Sequence, residues 1–254
     1  MPFHNHFNDV DLRNDQNAIG CFGCSFTRIF ISLGKIDLKN IKFKQLKNIK
    51  LDGLNWSGAL NIIDSTANIK NVSIENTLGE DSINLVGCKS YVEDLIVLNS
   101  ESDSVDIDFG KITFDNINCN GSGNDCFDTS GSIVSGNILS GFNVFDKLGS
   151  FGENSNVSIK KIDGKDVNIG VASKDGSSVQ IKEFNLTNFN IPLASYHKKF
   201  FFKNSKIEIQ KINLKDVISN NFLVSDDNKL VINKKEYVIK SPNKVIINSI
   251  YPNT

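Results

Sequence analysis

The residues of this chain best suited to chemistry are carboxylates, and they recur at a fixed interval. Asp81, Asp103 and Asp125 stand 22 residues apart, in Glu80-Asp81-Ser82-Ile83-Asn84-Leu85, Ser102-Asp103-Ser104-Val105-Asp106-Ile107 and Asn124-Asp125-Cys126-Phe127-Asp128-Thr129. Asp106 and Asp128 share one phase of this repeat, and Asn84 holds that phase in the first segment. If the segments stack as neighbouring strands, equivalent side chains lie about 4.8 Å apart. Two carboxylates at that spacing repel by about 1 kcal/mol in water and about 3–4 kcal/mol at an effective dielectric near 20. A protein that keeps such a ladder must bind a cation, share protons along it, or leave it solvated.

Three chemistries follow. Asp103, Asp106, Asp125 and Asp128 offer hard oxygen ligands for Ca²⁺, with Asn84 as a neutral ligand. Asp106 and Asp128 could instead serve as acid and base on a glycosidic bond, since stacked rungs can supply the carboxyl separation of a retaining or an inverting mechanism. The third reading is that Asp is a good corner residue, bonding turn amides and repeating because the rung repeats. Beyond Asp128 the charge changes sign: Lys147, Lys174, Lys198 and Lys199 follow, with His197. A groove acidic at one end and basic at the other suits an anionic sugar chain. Lys147 or Lys174 would then be a lyase-type base, provided burial or positive neighbours lower its pKa; the alternative is ordinary pairing with carboxylates of adjacent rungs. Asp81, Asn84, Asp103, Asp125, His197 and Lys198 complete the candidate binding face. Trp56 could stack on a sugar ring or pack in a corner. Cys21 and Cys24, with His4 and His6, have the composition of a zinc ligand set, although no second CxxC follows; otherwise the two thiols are half-buried residues in a Gly-rich turn.

The elements that must position these groups are strands. Ala67 to Ile74, Val157 to Ile162 and Val179 to Phe184 alternate apolar and polar residues with period 2, as strands with one buried face do. Asn, Asp, Gly and Ser gather between them, where tight corners need αL conformations. A 22-residue unit of this kind is one rung of a β-solenoid, and the fold expected is an all-β parallel β-helix of about eight rungs. Within it Val105, Ile107 and Phe109 take the inward phase, turning Asp106 and Asp108 outward, and Phe109, Phe114, Phe127 and Phe184 stack in the core. No window of helical periodicity competes. Residues 1–50 hold irregular early rungs, 51–217 the regular helix, and 218–254 a hairpin that closes the last exposed edge; together they form one domain.

Composition narrows the function classes. Twenty-eight Lys and Arg against 29 Asp and Glu leave a net charge of −1, so no global field favours nucleic acid or an anionic membrane. No stretch approaches a membrane span, and the start lacks a basic region followed by an apolar run. Membership of a longer surface protein or of an oligomer is compatible with this composition. Five cysteines at irregular spacing do not form a disulfide framework and are expected to be free.

The 22-residue period, alternating strands and polar corners resemble the right-handed parallel β-helices of the pectin-lyase-like superfamily, over roughly residues 28–217. Gly123 to Ser132, Gly152-Glu153-Asn154-Ser155, Ala172 to Ser177 and Tyr196-His197-Lys198-Lys199 are similar to rungs of bacterial right-handed β-helix repeat modules. The resemblance implies an extracellular or cell-surface module interacting with polysaccharide. The alternatives are a polysaccharide lyase or glycoside hydrolase acting on an acidic polysaccharide, or a structural spacer. Asn124-Asp125-Cys126 is similar to the Asp-Asp-Cys rung of polygalacturonases, with an amide in place of the first carboxylate. Their Gly-His-Gly and Arg-Ile-Lys rungs are absent, as is the Asp-Pro-His-Asp segment of alginate epimerases.

Overall fold

A computed structural model of the chain describes residues 34–47, 57–217 and 222–252, together with the backbone of the short strands His6–Phe7, Val10–Arg13, Ile29–Ser32, Lys50–Leu51 and Leu54–Asn55. Cys21, Cys24, Trp56 and the side chains of His4 and His6 lie outside the described residues. The fold is a parallel β-solenoid of about eight turns. A typical turn contributes a short strand, such as Asp103–Asp108, and a twelve-residue strand, such as Lys111–Ser122. From Asn156 onward the two run together, as in Asn156–Lys174 and Ser178–Tyr196. The period sets the register. Val105 pairs with Phe127, Phe127 with Gly149, Gly149 with Val171 and Val171 with Leu193, each 22 residues on and each parallel. Strand amides therefore bond to the rung above or below.

The corners are built by residues in the left-handed region. One ladder runs through Gln45, Asn76, Asn99, Gly121, Asn143, Asp166, Asn188 and Asp216, and a second through Asp64, Gly87, Phe109, Gly131, Glu153 and Asp175, all with positive φ. Asn and Asp tolerate this conformation because their short polar side chains bond locally. Phe109 does not follow its expected inward phase. Its φ of 54° places it at the corner, where alternation is interrupted, and its side chain is 68 % exposed. The next rung carries Gly131 at this position, and a Cβ there would approach the Phe109 ring to 2.8 Å. Phe114, Phe127 and Phe184 are buried as expected, and Phe114, Phe127 and Phe151 stack edge-to-face with centroids 5.7 and 6.1 Å apart.

The cysteines depart from expectation. Cys119 and Cys126 are joined by a disulfide with Cα atoms 5.7 Å apart, whereas Cys88 is free and buried. A seven-residue separation spans the bend between a long strand and the following corner, so the inward phases of both arms meet; linear spacing alone hides this.

The ends are irregular. Lys35–Lys44 already pairs in register with Thr66–Thr77, 31 residues away, so the solenoid begins before the regular period does. At the other end Leu223–Val224 and Lys229–Ile232 add parallel strands, and Lys235–Glu236 turns back antiparallel on Ile232 and Val231 to make the expected hairpin. The chain then forms a helix, α1, at Asn243–Ile250. This element was not expected: eight residues give barely two turns of periodicity, and Val245, Ile246 and Ile247 are β-branched. Ile246 of α1, with Ile247, Ile250 and Tyr251, packs on Ile169, Ala172, Ala194 and Tyr196. The helix thus covers the outer face of the sheet that carries the acidic ladder. No helix among the described residues is long and apolar enough to cross a membrane.

Candidate functional site: an acidic window

The short strands of successive rungs stack into one face. Its two ends are covered. Gly58–Ile63 and Asp81–Val86 are buried at every residue but the last, and residues 147–152 and 169–174 are buried throughout, beneath α1 in the latter case. Between these ends Asp106, Asp108, Asp128 and Ser130 reach solvent partially. The opening is a window floored by carboxylates.

Register pairs Asn84 with Asp106 and Asp106 with Asp128, as the shared phase predicts. The Asn84 amide donates to Ser57 Oγ at 2.6 Å and lies 3.2 Å from both Asp81 Oδ2 and Asp106 Oδ2, so one donor serves two carboxyl groups. The Asp81, Asp103 and Asp125 ladder turns into the corner instead. Asp103 Oδ1 accepts from the Asp125 N–H at 2.7 Å and the Asn124 amide at 2.6 Å, and Asp125 Oδ1 accepts from the Lys147 N–H at 2.9 Å. Asp103 and Asp125 therefore do act as corner residues, each with the oxygens left over for other work. Asp103, Asp125 and Asp128 each present an oxygen within 4.8 Å of the other two.

Electrostatics divide the cluster. Asp125 faces the Lys147 ammonium at 3.4 Å, and Asp128 faces that of Lys174 at 3.7 Å. Among the described residues no lysine or arginine pairs with Asp81, Asp103, Asp106 or Asp108. Burial, relieved only partly by Ser57 and Asn84, pushes the Asp81 carboxyl up to about 6. Burial and the neighbouring Asp125 push Asp103 up to about 8. Burial and the surrounding Asp81, Asp108, Asp128 and Asp103 push Asp106 up to about 10. Asp108 is raised by burial and by Asp128. Burial also raises Asp125, against the opposing pull of Lys147. At neutral pH the protonated form is favoured at Asp106 above all, which lowers the repulsion among these carboxyl groups.

Burial works against the charge on Lys147, but Asp125, Tyr251 and Asp146 outweigh it and hold the group above the ordinary lysine range. Lys174 behaves likewise through Asp128, Asp125 and Tyr251. The lowered pKa that a lyase-type base needs is absent at both. Nor do they form the basic end of a groove: Lys147 is 2 % and Lys174 8 % exposed, because each ammonium is drawn into the cluster. Lys174 donates to Ser150 Oγ at 2.8 Å. Its stem crosses Gly152, where a Cβ would stand 3.3 Å from Lys174 Cε.

His197 and Lys198 are not part of this floor. The His197 N–H donates to Asn243 Oδ1 and its carbonyl accepts from Asn243 Nδ2, both at 2.8 Å, which docks the start of α1. The Lys198 ammonium lies 5.1 Å from the centroid of the Tyr251 ring. Tyr251 also sits over Lys147, 5.4 Å from centroid to ammonium, and its hydroxyl meets that of Tyr196 at 2.8 Å. Sequence reasoning did not assign Ser150, Tyr196 or Tyr251 to the site; Ser150 lies 22 residues after Asp128 and Tyr196 22 after Lys174, each pair in register, so the period could have found both, whereas Tyr251 lies beyond the repeat. The chain matches no family model, and no curated protein or solved structure matches it.

Proposed function

We propose that this is a carbohydrate-interacting β-helix of the right-handed, pectin-lyase-like type, surface-associated or extracellular, with the acidic window as its sugar site. One observation carries the reading: among the described residues Asp106 and Asp108 have no cationic partner and reach solvent at the window, above the equally unpaired but buried Asp81 and Asp103, and the crowding of these acids raises the Asp106 pKa so that its carboxyl favours the protonated form at neutral pH. A carboxylic acid both donates and accepts hydrogen bonds, as sugar hydroxyls do. The chemistry favours a hydroxyl-rich neutral chain over a uronate polymer, because Lys147 and Lys174 are already committed to Asp125 and Asp128. Titration calorimetry with neutral and uronate oligosaccharides tests this. Binding of a neutral oligosaccharide that is lost in Asp103→Ala with Asp106→Ala supports the reading, and indifference to that pair of changes sinks it.

A glycoside hydrolase is the second reading, favoured by one specific pairing. Asp106 holds a proton at neutral pH and stands in register with Asp128, which faces an ammonium; an acid beside a carboxylate is the arrangement that glycoside hydrolysis requires. New reducing ends that disappear in Asp106→Asn would establish it. The oxygens of Asp103, Asp125 and Asp128 are the set that would hold Ca²⁺, which there would supply fixed positive charge. A divalent ion would compete with Lys147 and Lys174 for two of the three carboxylates. Thermal unfolding in EDTA against millimolar Ca²⁺ decides between ammonium and calcium as the counter-charge.

A further inference from the structure

The rung that follows Tyr196 breaks the period. Ser178 pairs with Lys206, 28 residues on, whereas Asn156 pairs with Ser178, 22 residues on. The extra length forms a projecting loop with the sequence Lys198-Lys199-Phe200-Phe201-Phe202-Lys203, followed by Asn204, Ser205 and Lys206. Phe200 is 93 % and Phe201 69 % exposed. Large apolar side chains left so open need a partner to explain them.

The loop is built rather than slack. Asp175 Oδ1 accepts from the N–H groups of Lys198 at 2.8 Å and Lys199 at 2.7 Å, and Lys199 also pairs with Glu153. Asn243 clamps both backbone groups of His197. On the far side the Ser205 N–H donates to Asn228 Oδ1 at 2.8 Å, and Ser205 Oγ accepts from the Gly176 N–H at 3.0 Å. The Phe202 N–H donates to the Lys199 carbonyl at 3.3 Å, closing the tip. The three rings then pack on each other, Phe200 against Phe201 at 5.7 Å and Phe201 against Phe202 at 4.8 Å between centroids, with their outer surfaces in water.

We propose that this loop anchors the protein to an anionic lipid surface. An aromatic tip ringed by lysines is complementary to such a surface in two ways: the rings enter the boundary between headgroups and acyl chains, and the ammonium groups meet the lipid charge. Lys198, Lys199, Lys203 and Lys206 flank the tip within nine residues; Lys199 pairs with Glu153 and Lys206 with Glu208, so the positive charge left for the lipid is that of Lys203 and of Lys198, which lies over the Tyr251 ring. Because both ends of the loop are pinned, little order has to be gained on docking. A purely apolar protein partner would not call for the charge of Lys203 and Lys198 beside the rings. The anchor is independent of the acidic window.

The experiment is cosedimentation of the full chain with vesicles of phosphatidylcholine, with and without phosphatidylglycerol. Binding is expected with the anionic vesicles only, falling steeply as salt is added. Phe200→Ser with Phe201→Ser should weaken it at least about tenfold, and Lys203→Ala about fivefold, with thermal unfolding unchanged since these side chains are exposed. As a second readout, the emission of Phe201→Trp should shift to the blue and be quenched by brominated lipid. Absence of binding to the anionic vesicles overturns the proposal, as does binding that survives loss of both rings. A vesicle-free dimer abolished by Phe200→Ser with Phe201→Ser would assign the tip to a second copy of the chain instead. Oligosaccharide binding abolished by the same pair would assign it to sugar.

Discussion

Rungs 81–108 and rungs 125–175 meet the same problem, buried carboxylates at successive corners, with opposite solutions. In the second group three of them are given a cation: Asp125 has Lys147, Asp128 has Lys174 and Glu153 has Lys199, while Asp175 is held by the N–H groups of Lys198 and Lys199. In the first, Asp81, Asp103, Asp106 and Asp108 have no such partner among the described residues, and nothing cationic opposes the rise that burial imposes on them, as Lys147 does for Asp125. The backbone scaffold is shared, so what differs is the chemistry left over. A paired carboxylate is committed to structure, whereas a protonated one retains a hydrogen to give. The unpaired rungs are therefore where ligand chemistry can occur.

The sharpest way to break this comparison is to remove a cation. Lys147→Met leaves Asp125 as an uncompensated buried charge, and a loss of about 3–5 kcal/mol is expected in urea unfolding. A loss below about 1 kcal/mol would mean that Asp125 is already neutral and that the two groups of rungs do not differ. The pH dependence comes next. Asp81, Asp103 and Asp106 have folded pKa values near 6, 8 and 10, above the ordinary carboxylate value of 3.8. The folded state thus binds more protons than the unfolded one from about pH 4 upward, and stability falls as pH rises. The melting temperature should drop between pH 5 and pH 9, and the drop should shrink in Asp103→Asn with Asp106→Asn. If saturating Ca²⁺ abolishes the drop, the ladder binds metal in place of protons.

A smaller effect is expected from Asp106→Asn alone. It keeps the hydrogen-bonding shape and removes the cost of holding a carboxyl protonated at a pH where the unfolded chain would ionise it, so stability at pH 8 should rise by about 1 kcal/mol or more. A decrease would show that Asp106 is ionised and held by something else. The smallest effect belongs to the exposed pairs outside the window. Lys161 and Asp163 pair at 2.7 Å, but both side chains are about two-fifths exposed, and Lys161→Ala should leave the midpoint of the same urea titration unchanged.

Much of this was legible before any coordinates. The interval between Asp81, Asp103 and Asp125 gives the register, because a parallel ladder bonds each residue to its equivalent one period away. The shared phase of Asn84, Asp106 and Asp128 follows from strand alternation, and the buried Phe114, Phe127 and Phe184 from the same rule. The rule fails where alternation stops. Phe109 sits at a left-handed corner and turns outward, and Cys119 and Cys126 meet across a bend that the linear spacing does not reveal. Helix α1 is too short and too β-branched to announce itself.

The sequence alone determined which residues stack on which, since periodic hydrogen bonding makes neighbours of residues one period apart. Only the tertiary structure decided which of those neighbours are paired, open or covered. Lys147 and Lys174 read as a basic stretch beyond the acids, yet the fold draws them inward because α1 and Tyr251 exclude water around them, and a buried ammonium must find its carboxylate. Whether a charge is spent on structure or kept for a ligand depends on what lies over it, and that cover comes from residues some 75 to 100 positions away.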